Sequence, residues 1–182
     1  METVEWRPGA GSGAWWSVAG VVLATVAIPT FGLPLIVRTG HVVIRLGLSD
    51  IVIMVALAAA LVVLHEGLHA AVMSVFRARP TFGATLVGHA FPALYTTAPG
   101  HVFTRAQYLA VTVTPGISIS FVGFAACFTG IGAYLVIPLA MHLGGCIGDA
   151  IATWRVMREP RGTMVEDLRD GIRFHRAPQA TS

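Results

Sequence analysis

Long apolar runs alternate with short polar breaks along this chain. Four runs reach the roughly 20 apolar residues that a membrane-crossing helix needs: about Ala14 to Val37, Ile51 to Phe76, Ala106 to Phe128 and Ile131 to Val156. Pro29 and Pro34 are expected to kink or break the second half of the first run. Ser49 or Asp50 offers an N-cap for the second, and Thr114-Pro115-Gly116 is expected to interrupt the third. Between the second and third runs, residues 77 to 105 lose the helical pattern. The stretch from Phe82 to Thr97 is rich in Gly, Thr, Val, Phe and Tyr and is broken by Gly88 and Pro92, which predicts a β-hairpin or re-entrant segment. The tail from Arg158 is polar and mixed in charge, and Ala177 to Ser182 read as disordered. The expected fold class is therefore an all-α membrane protein. It is a bundle of about four transmembrane helices, with a small β-hairpin or re-entrant segment between the second and third. Residues 1–13 form an N-terminal segment, 14–157 the transmembrane domain and 158–182 a C-terminal tail.

Composition points to lipid as the solvent. Hydrophobic residues make up 55% of the 182 and charged residues 12%, about half the charge of a soluble domain. The formal net charge of +3 would suggest nucleic acid in a soluble protein, but here all 12 basic residues are Arg and most flank apolar runs. They read as membrane anchors, with lipid and not nucleic acid as the partner. Ten of them (Arg7, Arg77, Arg79, Arg105, Arg155, Arg158, Arg161, Arg169, Arg173, Arg176) fall on one side of a four-span topology, and only Arg38 and Arg45 on the other. The positive-inside rule then predicts a multi-pass protein of the cell membrane with both termini cytoplasmic. The N-terminus lacks the basic start and cleavage site of a signal peptide, so the first span is expected to persist. Cys127 and Cys146 both fall in apolar segments and do not suggest a disulfide framework.

Ionisable groups within apolar helices are costly and by default functional. Of nine acidic residues only Glu66 and Asp149 lie well inside the runs, together with His65, His69 and His142. His65 and His69 are four apart and share a helix face, a spacing at which two imidazoles can bind one Zn²⁺. Glu66, rotated by about 100°, can reach an attacking water without ligating the metal. A polar helix-packing cluster is the non-metal alternative. A catalytic zinc needs a third protein ligand, and the last run offers His142, Cys146 and Asp149 on one face. Helix rise puts all three at compatible depth, whereas charge favours Asp149, because a carboxylate offsets the dication. Gly144 and Gly148 form a small-xxx-small pair suited to close helix packing.

His65-Glu66-Gly67-Leu68-His69 in one apolar helix and Gly145-Cys146-Ile147-Gly148-Asp149 in a later one resemble the site-2 protease type of intramembrane zinc metallopeptidase. The closer likeness is to the compact bacterial membrane family called "putative zincin peptidase", over roughly residues 48 to 157. The resemblance implies His65, His69 and Asp149 as zinc ligands and Glu66 as general base, acting on a membrane-protein or peptide substrate. Larger site-2 proteases place an Asn near the ligand Asp. This chain contains no Asn, and His142 is the candidate auxiliary group in its place. A different reading is a non-catalytic metal-binding or transport module with His89, His101 and His142 as further ligands. A scaffold with an inactive site is a third.

Overall fold

The computed structural model describes residues 2–9, 12–41, 47–87, 91–169 and 171–176. In chain order the elements are β1 (Glu2–Trp6), α1 (Ser12–Thr39), α2 (Leu48–Val75), β2 (Thr81–Val87), β3 (Phe91–Thr97), β4 (Val102–Thr104), α3 (Arg105–Ala126), α4 (Gly132–Gly145), α5 (Ile147–Met157), β5 (Met164–Leu168) and β6 (Gly171–Arg176). Four helical stretches are long and apolar enough to cross a membrane: Gly13–Thr39, Leu48–Val75, Arg105–Ala126 and Gly132–Met157. These are the four runs expected from the pattern. Their interiors differ from expectation. α1 continues through Pro29 and Pro34, and α3 through Pro115. The fourth stretch, expected to be continuous, divides at Cys146, whose N–H reaches the carbonyls of His142 (3.1 Å) and Leu143 (3.2 Å) before α5 begins.

The helix ends follow local chemistry. The N-cap of α2 is Gly47, not Ser49 or Asp50; the Asp50 carboxylate reaches back to accept the Gly47 N–H at 2.8 Å, as the third helical residue of a capping box does. The other end of α2 closes in a Schellman turn. Arg77, at φ 63°, donates its N–H to Ser74, and Ala78 donates to Met73. Met73 and Ala78 are both buried, which supplies the apolar contact that accompanies this cap.

The chain divides into two compact units. One comprises residues 1–14, 66–115 and 148–182. It contains two sheets, and the larger overturns the all-α expectation. Its strand order is β1-β6-β5-β4, all neighbours antiparallel, so the N-terminal segment and the supposed C-terminal tail are strands of one sheet. The smaller is the hairpin β2–β3, paired from Thr81↔Thr97 to Val87↔Phe91. Phe103, Val165, Ile172 and Phe174 from the larger sheet are buried with Met73, Tyr108, Val111 and Val156 from the helices, and form this unit's core. The Arg residues of the C-terminal region do more than flank a span. Arg173 pairs with Glu5 (2.7 Å) and Glu166 (2.9 Å), tying β1 and β5 to the strand between them. Arg155 (2.6 Å) and Arg176 (2.8 Å) converge on Glu159, whose side chain is only 2% exposed.

Burial acts to raise the Glu159 pKa, but hydrogen bonds from Arg176 and Arg155 more than offset it, and the net shift is downward. The ionised carboxylate therefore stabilises the fold above the ordinary Glu range, and this stability is lost as pH falls through the depressed folded value. Glu159→Gln is expected to cost about 2–3 kcal/mol at neutral pH. That is less than the ~3–5 kcal/mol of a fully buried pair, because both guanidiniums keep some solvent access. In thermal unfolding the gap between the two proteins should narrow below about pH 4.

The other unit comprises residues 15–65 and 116–147. Ala27, Phe31, Ile119, Leu135, Val136, Leu139 and Ala140 are buried in it. Arg38 at the end of α1 donates to the Thr129 carbonyl at 2.6 Å. Gly144 on α4 meets α1: a Cβ there would lie 2.5 Å from the Gly20 carbonyl oxygen, and one at Gly20 would lie 2.8 Å from that of Gly144. Gly148 has nothing within 4 Å of such an atom. The expected Gly144/Gly148 packing pair is therefore a Gly20/Gly144 pair, with α1 as the partner. Gly144→Ala is expected to destabilise the protein by about 1–3 kcal/mol through backbone overpacking, while Gly148→Ala changes little. Thermal stability of the two purified variants checks this.

Candidate metal centre

The histidines at issue lie on one uninterrupted helix, α2, and the boundary between the units falls between His65 and Glu66. Helix spacing alone places His65 one turn before His69 on the same face.

In the first unit, His69 is fixed from both sides of its ring. Its Nδ1 lies 2.9 Å from the carbonyl oxygen of Val111 on α3. A carbonyl can only accept, so Nδ1 carries the proton and Nε2 of the neutral ring keeps its lone pair. That Nε2 lies 3.4 Å from Oδ1 of Asp149, in the first turn of α5. An acidic residue in a first helical turn is favoured by the exposed N–H groups there. Glu66 follows His65 on α2, and its Oε2 is buried with no hydrogen-bond partner. A carboxylate oxygen shielded from water with nothing to accept is costly. The Glu66 carbonyl accepts from the Thr96 hydroxyl at 3.2 Å, which ties β3 of the hairpin to this turn of α2.

Behind the site in the same unit is a carboxylate that the sequence reading passed over. Asp167 on β5 accepts from the Tyr108 hydroxyl at 2.8 Å. Burial pushes its carboxyl up to about 6, with the Tyr108 hydrogen bond acting the other way. Its signal was a Glu-Asp pair in a stretch taken for a solvated tail.

In the second unit, His65 Nδ1 lies 3.0 Å from Nε2 of His142 in the last turn of α4. The Cys146 sulfur is 3.9 Å from the first and 3.8 Å from the second. His142 and Cys146 thus group with His65, whereas Asp149 groups with His69. Of the other histidines once weighed as ligands, His101 packs edge-on against Phe103 at 4.5 Å between ring centres. His89 lies outside the described residues, as do Arg45 and the end from Ala177 to Ser182.

Among the described residues, His69 and Asp149 of the first unit, and His65, His142 and Cys146 of the second, carry donor atoms close enough to share a metal ion. Distances distinguish their contacts. Two ligand atoms each about 2.0–2.1 Å from one ion at the tetrahedral angle sit ~3.3 Å apart. The 3.4 Å between His69 and Asp149 fits that spacing and is long for a hydrogen bond. The 3.0 Å between His65 and His142 is an ordinary hydrogen-bond length. An imidazole and a carboxylate at that spacing suit zinc, and the Glu66 oxygen, without a partner among the described residues, lies three positions before His69 on the same helix.

No curated protein and no solved structure matches this chain. A family model does, over residues 58–164, a span that includes α2 from before His65, the hairpin, α3, α4 and α5 with Asp149. The chain belongs to the family described as "Putative zincin peptidase".

Proposed function

We propose that this protein is a zinc-dependent metallopeptidase of the membrane, of the site-2 protease type, hydrolysing peptide bonds of membrane or membrane-proximal substrates. The observation that carries this reading is the His69 ring. Its Nδ1–H is held by Val111, and its Nε2 sits at ligand spacing from Asp149. His65, one turn earlier, is the third ligand, and His142 holds its Nδ1 from behind. Zinc bound there supplies Lewis acidity, which polarises a scissile carbonyl and makes water a nucleophile near neutral pH.

The chain's own residues supply the rest. Glu66 takes the proton of the attacking water and delivers it to the leaving amine. Its buried oxygen without a partner supports that role. The peptide must be extended, because a helix hides its carbonyls. The two-stranded β2–β3 sheet has unpaired edges, and β3 is bonded to α2 at Glu66 itself, so edge pairing there would bring a substrate strand to the base. The four long apolar helices and the Arg distribution support a multi-pass protein of the cell membrane with cytoplasmic termini and the site near that face.

The test is zinc content together with cleavage of a model transmembrane peptide, for wild type and Glu66→Gln in detergent or lipid. Zinc retained with cleavage lost supports the peptidase. Equal behaviour of the two proteins would favour a non-catalytic metal-binding or transport module, for which His65, His142 and Cys146 supply a second donor group.

A further inference from the structure

Pro115 lies within α3, four residues after Val111. In an α-helix the carbonyl of residue i−4 accepts the N–H of residue i. Proline has no N–H, so the Val111 carbonyl has no helical donor at position 115. In an apolar helix such a freed carbonyl must find another donor, because leaving it unsatisfied is costly. The donor it finds is Nδ1–H of His69, at 2.9 Å, and the contact is buried. All three residues belong to the same unit of the chain.

We infer that Pro115 is a positioning residue for the metal centre. By withholding its own N–H it hands the Val111 carbonyl to His69, and so locks the tautomer and ring plane that leave Nε2 facing Asp149. The geometry explains why a proline stands here when the helix neither stops nor breaks: α3 continues to Ala126. A proline inside an unbroken helix removes one helical hydrogen bond, and here the carbonyl so freed is the one that holds His69. Neighbouring hydroxyls do not take over the carbonyl. Thr112 donates to Leu109 at 3.1 Å and Thr114 to Ala110 at 2.6 Å. The purpose assigned to the lock rests on the zinc reading above, whereas the hydrogen bond and its dependence on residue 115 do not.

Pro115→Ala restores an N–H aimed at the Val111 carbonyl. The test measures two quantities on the full-length protein in detergent. One is the tautomer of His69 in the metal-free state, from imidazole ¹⁵N resonances assigned by comparison with His69→Gln. The other is zinc affinity by competition with a chromophoric chelator. In wild type His69 is expected as the Nδ1–H tautomer. In Pro115→Ala that population falls, and zinc affinity falls by about 10–100-fold, the usual effect of losing an outer partner of a ligand histidine. Thermal stability of the metal-free protein holds or rises, because Ala suits the helix better. Weaker metal binding in a more stable helix is a combination that a purely structural proline would not give. A backbone ester at position 115, which also lacks the N–H but has no ring, should behave as wild type and so separates the missing donor from the kink. Unchanged tautomer and unchanged zinc affinity in Pro115→Ala overturn the proposal, as does an ester variant that behaves like Pro115→Ala. If His69→Gln leaves zinc binding intact, the zinc reading fails, and the tautomer measurement still decides the role of Pro115.

Discussion

Glu66→Gln is expected to leave zinc bound and to lower peptide hydrolysis by about 10²–10⁴-fold, the usual contribution of a general base. The substitution keeps the shape of the side chain and removes only its ability to take a proton. Glu66 sits between the two histidines in sequence but about 100° around the helix from His65 and about 60° from His69, so it is not required as a ligand. Its Oε2 is buried and has nothing to accept, and an amide there is no harder to accommodate than a carboxylate. Folding and metal content should therefore survive while turnover does not. Zinc analysis of the purified variant beside single-turnover cleavage separates the two. A variant that cleaves at the wild-type rate would remove the base from the mechanism.

Asp149→Ala is expected to weaken zinc binding more than about 100-fold, beyond what loss of an outer hydrogen-bond partner produces. Three effects combine. The site loses one of three protein ligands, it loses the only anion among them, and His69 loses the group 3.4 Å from its Nε2. Asp149→Asn, which keeps an oxygen donor without the charge, should fall between wild type and alanine. His142→Ala is the informative neighbour, because it removes a contact to His65 at 3.0 Å and not the proposed carboxylate ligand, and its loss should be much the smaller. Equal zinc affinity in Asp149→Ala and wild type, measured by chelator competition, would show that the third ligand lies elsewhere.

The helices of this protein were legible because their evidence is local: twenty-odd apolar residues in a row need no partner to be recognised. The hairpin was legible for the same reason, since its two β-rich stretches are nearly contiguous in sequence. His65, Glu66 and His69 stood out because polar groups in such a run demand a reason. The larger sheet was not legible. β1 and β6 are short, carry charges three residues apart (Glu2 and Glu5, Arg173 and Arg176) and pair Trp6 with Ile172, so neither looks like a strand without the other. Arg173 read as a membrane-flanking anchor for the same reason, although it donates to both Glu5 and Glu166. The break at Cys146 was hidden because a turn that still uses the carbonyls of His142 and Leu143 needs no glycine or proline to announce it. Pro115 was visible but was expected to interrupt the helix, which runs on through it. The sequence shows which N–H is missing and not which side chain takes the vacated carbonyl.

The position of β6 between β1 and β5 also orders events during synthesis. Among the described residues β1 pairs only with β6, and Trp6 and its partner Ile172 are 166 residues apart, a lag of roughly 8–33 s at ordinary elongation rates. By then α1 to α5 have all been made, and among the described residues Glu2–Trp6 has no other strand to pair with. The sheet is thus closed last, by the strand that ends the described chain. A nascent protein released early, even one with all its helices and all its proposed ligands, would carry an open strand edge.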